Sequence, residues 1–389
     1  MGLKDVMIAK APRGIISHIS VGAKTRRRPR AILLLLLAAC GGRPHLHPRD
    51  DALVRPTPPA LTVDLKASGG DEASQIPPSA ETSPSPVAIG TFGGPSGTVL
   101  GRVVSVTRMD GQIGVLDAQS ITLRVFGLDG KPLYDLGAKG QGPGEFMSPR
   151  AVQGLEEGAF VVFDASGRVT RFDAERGALP RILLRFDGLL ESGCVLGDNI
   201  YVHGLRPGDD RVVHRYDSDG HYLSSFGEVY RTQNRVVLMH VTLGRIACMP
   251  AQGLVVVLPA LLPELRAYTA DGTLAWWLLF RGFTPLELEE IEGGATMREP
   301  CGEFDTWAGL APSRSGTELL VQVLRANRDC KGDSVQSSIA TLAVSTTGPH
   351  ARWEARGSDE AATYLDDDYT ITTVESPFPQ VFLRPRRNP

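Results

Sequence analysis

The feature that most restricts how this chain can fold is a unit that returns at near-constant intervals: a strand, a turn built on Asp or Gly, and a second strand. The first copy reads Leu123-Arg124-Val125-Phe126-Gly127-Leu128-Asp129-Gly130-Lys131-Pro132-Leu133-Tyr134, and the second runs from Val169-Thr170-Arg171-Phe172-Asp173 to Gly177. Val213 to Leu223, Leu265 to Leu274 and, more faintly, Ile339 to Gly348 repeat it. The turn glycines stand at 130, 177, 220, 272 and 348, in steps of 47, 43, 52 and 76. The first three steps fit the roughly 40–50 residues of one four-stranded propeller blade. A four-stranded sheet cannot bury both faces alone, so copies must stack around an axis. A β-sandwich is the alternative, but it gives no reason for one hairpin to return at constant spacing.

Composition agrees with many short elements and many turns: 43 Gly and 28 Pro in 389 residues, with aromatics at only 6%. Period-two runs such as Ile121 to Phe126 and Phe160 to Phe163 support strands. One segment reads as a helix. Thr284 can cap it, Pro285 suits its first turn, and Leu286-Glu287-Leu288-Glu289-Glu290-Ile291 follows before Gly293-Gly294. That helix, over 285–292, fills part of the long last step. The expected fold is all-β: a six-bladed β-propeller with four-stranded antiparallel blades, over residues 87–389. Tyr369 to Val374 and Gln380 to Leu383 supply two strands of the sixth blade. Its remaining strands must come from the N-terminal side, near Val87 to Phe92 or Leu61 to Leu65. Such a closure removes exposed strand edges.

Gly140-Gln141-Gly142-Pro143-Gly144-Glu145-Phe146-Met147-Ser148-Pro149 is similar to the linker that opens an NHL repeat. The match continues through Gly158, Phe160-Val161-Val162, Asp164, Gly167-Arg168-Val169 and Phe172-Asp173. The chain thus resembles bacterial six-bladed propeller lipoproteins with NHL-like repeats. The resemblance implies the propeller fold and, in some NHL-like enzymes, histidines gathered from several blades around an axial metal.

The N-terminus reads as an address. Arg26-Arg27-Arg28-Pro29-Arg30 precedes the apolar run Ala31 to Ala39, which is too short to span a bilayer. Leu37-Ala38-Ala39-Cys40 resembles the bacterial lipobox, which implies a signal peptide over 1–39 and acyl chains, palmitate among them, on Cys40. Several acyl chains give stable anchoring. Nine prolines lie between 41 and 86, so 40–86 is expected to be a semi-extended linker. Leu61 to Lys66 alternates like a strand and is expected to dock on the domain. Without residues 1–39 the chain carries 33 basic and 43 acidic residues. That acidic balance argues against nucleic acid as a partner.

Little in the sequence requires catalysis, and no cofactor is expected. The glycine run 137–144 lacks the phosphate-loop Gly-Lys-Ser/Thr, so a tight interblade turn explains it better. His203, His214, His221 and His240 do not sit at equivalent blade positions, and Asp366-Asp367-Asp368 reads as a solvated acidic turn before a strand. Glu289-Glu290 also looks solvated. Apart from Cys40, four cysteines remain: Cys194, Cys248, Cys301 and Cys330. They permit three pairings in an exported protein, or four free thiols. Cys194 and Cys248 lie about one blade step apart and precede comparable strands, so they are expected to pair, with Cys301 clipped to Cys330. The functional expectation is a monomeric, lipid-anchored module of the cell envelope that binds or scaffolds a protein, peptide or glycan ligand. The alternative is an NHL-like hydrolase or lyase with an axial metal site.

Overall fold

The structure, a computed structural model, describes residues 61–65, 86–90, 98–173, 179–232, 234–291, 294–312, 318–329, 335–345, 356–358, 361–365, 369–374 and 379–385. It is a six-bladed β-propeller. Blade one comprises Val103–Met109, Gln112–Asp117, Thr122–Gly127 and Pro132–Leu136. Blade two comprises Pro149–Leu155, Ala159–Asp164, Arg168–Asp173 and Arg181–Arg185. Blade three runs from Leu189–Leu196 to Tyr222–Glu228, blade four from Arg245–Met249 to Leu274–Arg281, and blade five from Gly302–Pro312 to Arg356–Ser358. Blade six holds Ala361–Leu365, Tyr369–Val374 and Gln380–Pro385, with Val87–Ile89 as its outermost strand. The first strands of successive blades touch one another, and that of blade six touches that of blade one. These six strands therefore line the axis.

The repeated hairpin of the sequence is the outer pair of strands in blades one to five. Gly130, Gly220 and Gly272 all take positive φ. Each turn is closed the same way: the glycine N–H donates to the carbonyl three residues back, Gly127, Asp217 or Thr269. The glycine answers a packing demand too. A Cβ on Gly272 would lie 2.6 Å from the Phe226 ring of blade three, and one on Gly220 2.2 Å from the Leu183 carbonyl oxygen of blade two. On Gly130 it would meet Val87 at 2.9 Å. Each hairpin tip thus rests on the preceding blade, and blade one rests on the N-terminal strand of blade six. Residues 177 and 348 lie outside the described residues.

The core is a set of wedges between blades. Val115 and Ile113 of blade one meet Ile371, Val381 and Leu383 of blade six. Leu116 and Leu123 meet Phe160 and Val162 of blade two. Similar clusters join blades two and three, three and four, and four and five. Flat sheet faces stack this way because each strand alternates its side chains between two neighbours.

Three expectations are adjusted. The segment expected as a helix over 285–292 is a hairpin, with Glu287–Ile291 paired to Gly294–Arg298. Its alternation is period two: Leu288 is buried against Val237, Val241, Leu261 and Leu262, with Leu286 packed beside them. The register joins Ile291 to Gly294, so the glycines mark a reversal and not a helix stop. The helix of this region is instead Arg235–Thr242, in the connection between blades three and four. Asn234 caps it, its side-chain oxygen accepting from the Val236 and Val237 N–H groups. In blade six only the outermost strand comes from the N-terminal side, while Ala361–Leu365 supplies the innermost. Leu61–Asp64 does dock, but on blade four, in parallel register from Leu278 to Arg281. Part of the expected linker therefore belongs to the folded body, with Leu65 buried in the wedge between blades four and five.

Candidate functional site

The inner strands carry a second repeat that the sequence does not advertise. In five blades the first strand is interrupted by a β-bulge. The ladder skips Val104 in blade one, Arg150 in blade two and Glu191 in blade three. It skips Ala308 in blade five and Thr363 in blade six. Blade four is regular there, and Arg245 opens its inner strand. Bulges re-aim a residue out of the pleat. Here they single out five inner-strand positions, and Arg245 opens the regular inner strand of blade four beside them. Hydrogen bonds tie the inner strands of blades three, four and five together here. Ser192 Oγ donates to the Gly244 carbonyl at 3.4 Å, and an Arg245 guanidinium nitrogen to the Ala308 carbonyl at 3.2 Å. Further in, Gln153 bridges both backbone groups of Val195, at 2.7 and 3.0 Å. Ser105 Oγ accepts from the Val152 N–H at 3.1 Å and Thr107 Oγ1 from the Gly154 N–H at 2.9 Å. Polar side chains thus satisfy inner edges that have no strand beside them.

The ring of these six positions is lopsided. Arg150, Glu191 and Arg245, from three successive blades, carry charge; Val104, Ala308 and Thr363 carry none. Burial raises the Glu191 pKa above its ordinary value, and the charges of Arg150 and Arg245 oppose that rise. Burial lowers the Arg245 pKa and Glu191 opposes it. Its side chain is nonetheless exposed to solvent, as a group standing in an enclosed channel would be. Among the described residues neither arginine closes an ion pair on Glu191, and the buried Arg150 Nε has no hydrogen-bond partner.

The disulfide Cys194–Cys248 joins the inner strands of blades three and four, with Cα atoms 5.7 Å apart. This is the expected pairing. Each cysteine stands three residues after a charged ring member, Glu191 or Arg245, so the bond fixes the spacing of those two strands next to the site. Cys301 is disulfide-bonded as well; Cys330, its expected partner, lies outside the described residues, as do Cys40 and Asp366-Asp367-Asp368.

The histidines do not converge on the axis. His203 and His214 are buried in the middle strands of blade three. His203 Nδ1 lies 3.4 Å from Ser192 Oγ, and burial, with the nearby His214, pushes its pKa down to about 4. His214 packs against the Phe186 ring and lies 2.9 Å from Ser225 Oγ, which donates to Asp209. His221 sits exposed on a hairpin tip against Asp217, and His240 is on the helix. Among the described residues no three His, Cys, Asp or Glu side chains are grouped to hold a metal. Glu289 pairs with Arg298 at 3.7 Å on the outer hairpin. The glycine run is an interblade linker. Arg168 donates to the Gly140 and Gly142 carbonyls at 3.0 and 3.1 Å, and Glu145 accepts the Gly142 N–H at 2.7 Å.

A concavity of about 380 Å³ opens between blades three and four. Its charged groups are already matched: Arg211 with Glu228 at 3.4 Å, and Arg266 with Glu264 at 2.7 Å. The ring charges are not, which makes the channel mouth the better candidate. Sequence reading missed Arg150, Glu191 and Arg245. The signal was there in weak form, as a charged residue three before Cys194 and three before Cys248, but bulges leave no mark in a single sequence.

Residues 96–182, which hold blade one, the glycine linker and most of blade two, match the model of DUF5128, a family described as a 6-bladed beta-propeller. No curated protein matches the chain. Among solved structures it is similar to a member of the duf4221 family from Bacteroides vulgatus, at 7% identity and TM-score 0.53, over 79% of this chain and 98% of that one. It also aligns with a "Putative exported protein" from Bacteroides fragilis at 13% identity and TM-score 0.47, over 78% of this chain and 95% of that one. The family model and the Bacteroides vulgatus structure agree with the architecture described above: this chain is a six-bladed β-propeller.

Proposed function

We propose that the chain is a lipid-anchored propeller of the cell envelope that serves as a binding or scaffold module for a protein, peptide or glycan. The observation that carries this reading is where the N-terminal segment meets the ring. Val87–Ile89 is the outermost strand of blade six, and Leu61–Asp64 lies along the outermost strand of blade four. Both described strands of the N-terminal segment thus join the ring at its rim, and a tether at the rim suits a module whose ligand meets the axis. The signal-like run before Cys40 and the lipobox-like Leu37-Ala38-Ala39-Cys40 support the anchor. The alternative of a metal-dependent hydrolase or lyase finds no ligand set at the axis among the described residues, where arginines stand instead.

Two measurements test the reading. Cys40→Ala is expected to abolish incorporation of labelled fatty acid and to release the protein from membranes; undiminished labelling would remove the anchor from the account. Soluble protein beginning at residue 61, probed against glycan and peptide arrays, is expected to retain a ligand unchanged. Failure to retain any ligand on either array would overturn the binding role.

A further inference from the structure

We infer that the charged half of the ring at the channel mouth is a binding site for a sugar acid: a carboxylate held by Arg150 and Arg245, with a neighbouring hydroxyl donating to Glu191. The inference rests on the binding-module reading and names the ligand class for it. Arg150, Glu191 and Arg245 come from the inner strands of three adjacent blades. Two of the three get there because a bulge turns the residue out of its ladder. Such bulges break ladder hydrogen bonds, and nothing in blade packing needs a charge at these positions, since blades one, five and six carry Val104, Ala308 and Thr363 there.

The charged groups are also left with bonding capacity. Arg150 Nε is buried without a partner among the described residues. Arg245 spends one guanidinium nitrogen on the Ala308 carbonyl and presents the rest of its fork. Glu191 is an acceptor held between them. Two forks of N–H donors match a planar carboxylate in a way that a single lysine would not. Charge chooses among carboxylates. Two arginines and one glutamate sum to a single positive charge, which one carboxylate neutralises. A zwitterionic amino acid leaves that charge in place and sets its ammonium beside two guanidinium groups. A hydroxyl donor is neutral and suits a carboxylate oxygen of Glu191. On the uncharged half, Val104 packs against the wedge between blades one and two, which leaves the small Ala308 as the apolar neighbour for the rest of a sugar ring. Two sources share this chemistry: a free sugar acid, and an acidic residue within a glycan chain.

The test uses calorimetry on the soluble protein from residue 61 with glucuronate, glucose and glycine, and with a glucuronate-bearing oligosaccharide. Glucuronate is expected to bind, with glucose and glycine each at least tenfold weaker. Arg150→Gln and Arg245→Gln are each expected to weaken glucuronate at least tenfold. Tighter binding of the oligosaccharide than of the monosaccharide identifies a glycan as the source, and equal binding identifies the free acid. The Arg150 side chain makes no hydrogen bond among the described residues, so Arg150→Gln is expected to leave the melting temperature unlowered; a large fall would mean that the residue serves the fold instead. The inference is overturned if glucuronate fails to bind, if glucose or glycine binds as tightly, or if the arginine variants bind unchanged. Should that happen while the arrays still yield a ligand indifferent to Arg150→Gln, the binding module stands and only this site is wrong.

Discussion

At the scale of single residues, the molecule shows how burial decides the state of a charge. His203 is fully buried beside Ser192, and burial, with the nearby His214, lowers its pKa to about 4. His214, across the same sheet, is lowered by burial too. A histidine that resists protonation in the folded state binds fewer protons there than in the unfolded chain. Stability from this source is therefore full above the ordinary histidine value near 6.5 and is lost as pH falls from there to about 4. A shift of that size is worth about 3 kcal/mol, and His214 acts in the same direction. Urea midpoints measured between pH 7 and pH 4 are expected to fall, and to fall less in His203→Leu, which cannot titrate. A profile with the same slope in both proteins would show that this ring does not carry the effect. From the sequence these histidines raise the question of a metal, and only the sheet shows them to be core residues that happen to be polar. Arg150 and Glu191 fail to announce themselves for the opposite reason: each looks like an ordinary exposed charge on a strand until a bulge places it at the axis.

At the scale of elements, what could be read and what could not divide along one physical line. The hairpins were legible because their turns need a residue with positive φ and no side chain at the contact with the preceding blade, so glycine returns at each. The pairing of Cys194 with Cys248 was legible because one blade step brings equivalent positions on neighbouring inner strands together. Helix and hairpin around Val237 and Leu288 were not, because local preference and tertiary packing disagree there. Arg235–Thr242 contains several β-branched residues yet is helical under the cap of Asn234, while Glu287–Ile291 has good helix formers and is a strand. The disulfide makes its own prediction. It closes 54 residues of chain, for which the chain-entropy model gives roughly 4 kcal/mol. The double variant Cys194→Ala with Cys248→Ala is expected to unfold at a markedly lower denaturant concentration, with a steeper transition because the uncross-linked unfolded chain exposes more surface. Because the bond sits one turn of the ladder from Glu191 and Arg245, any ligand at the mouth is expected to bind more weakly in that variant even well below its melting temperature.

At the scale of the whole molecule, the ring is held by its first and last strands. Val87–Ile89 pairs with Gln380–Pro385, so blade six is built from both ends of the propeller. Ile89, Ile371, Val381 and Leu383 are fully buried with Val115 and Ile113 of blade one, and the Gly130 tip of blade one rests on Val87. The need for a closing strand followed from counting hairpins, since the recognisable units left the last blade short. Which residues would supply it did not, because Leu61–Asp64 and Val87–Ile89 are both short apolar runs that could serve. Geometry separates them: the first lies parallel on blade four, where it adds an edge strand, and the second antiparallel on blade six, where it completes a sheet. Loss of the two should therefore differ in kind. Removing residues 61–65 takes away one added edge strand and the packing of Leu65, so a modest fall in a single melting transition is expected. Removing residues 87–89 opens the wedge between blades six and one and exposes the outer edge of Gln380–Pro385. Even Ile89→Ala alone is expected to cost about 2–5 kcal/mol, the range for a large side chain lost from a packed core. The deletion is expected to abolish the cooperative transition or lower its midpoint far more than loss of 61–65 does. Melting curves of the two deletions side by side decide it: equal shifts would mean that the N-terminal strand of blade six is a decoration on an already closed ring.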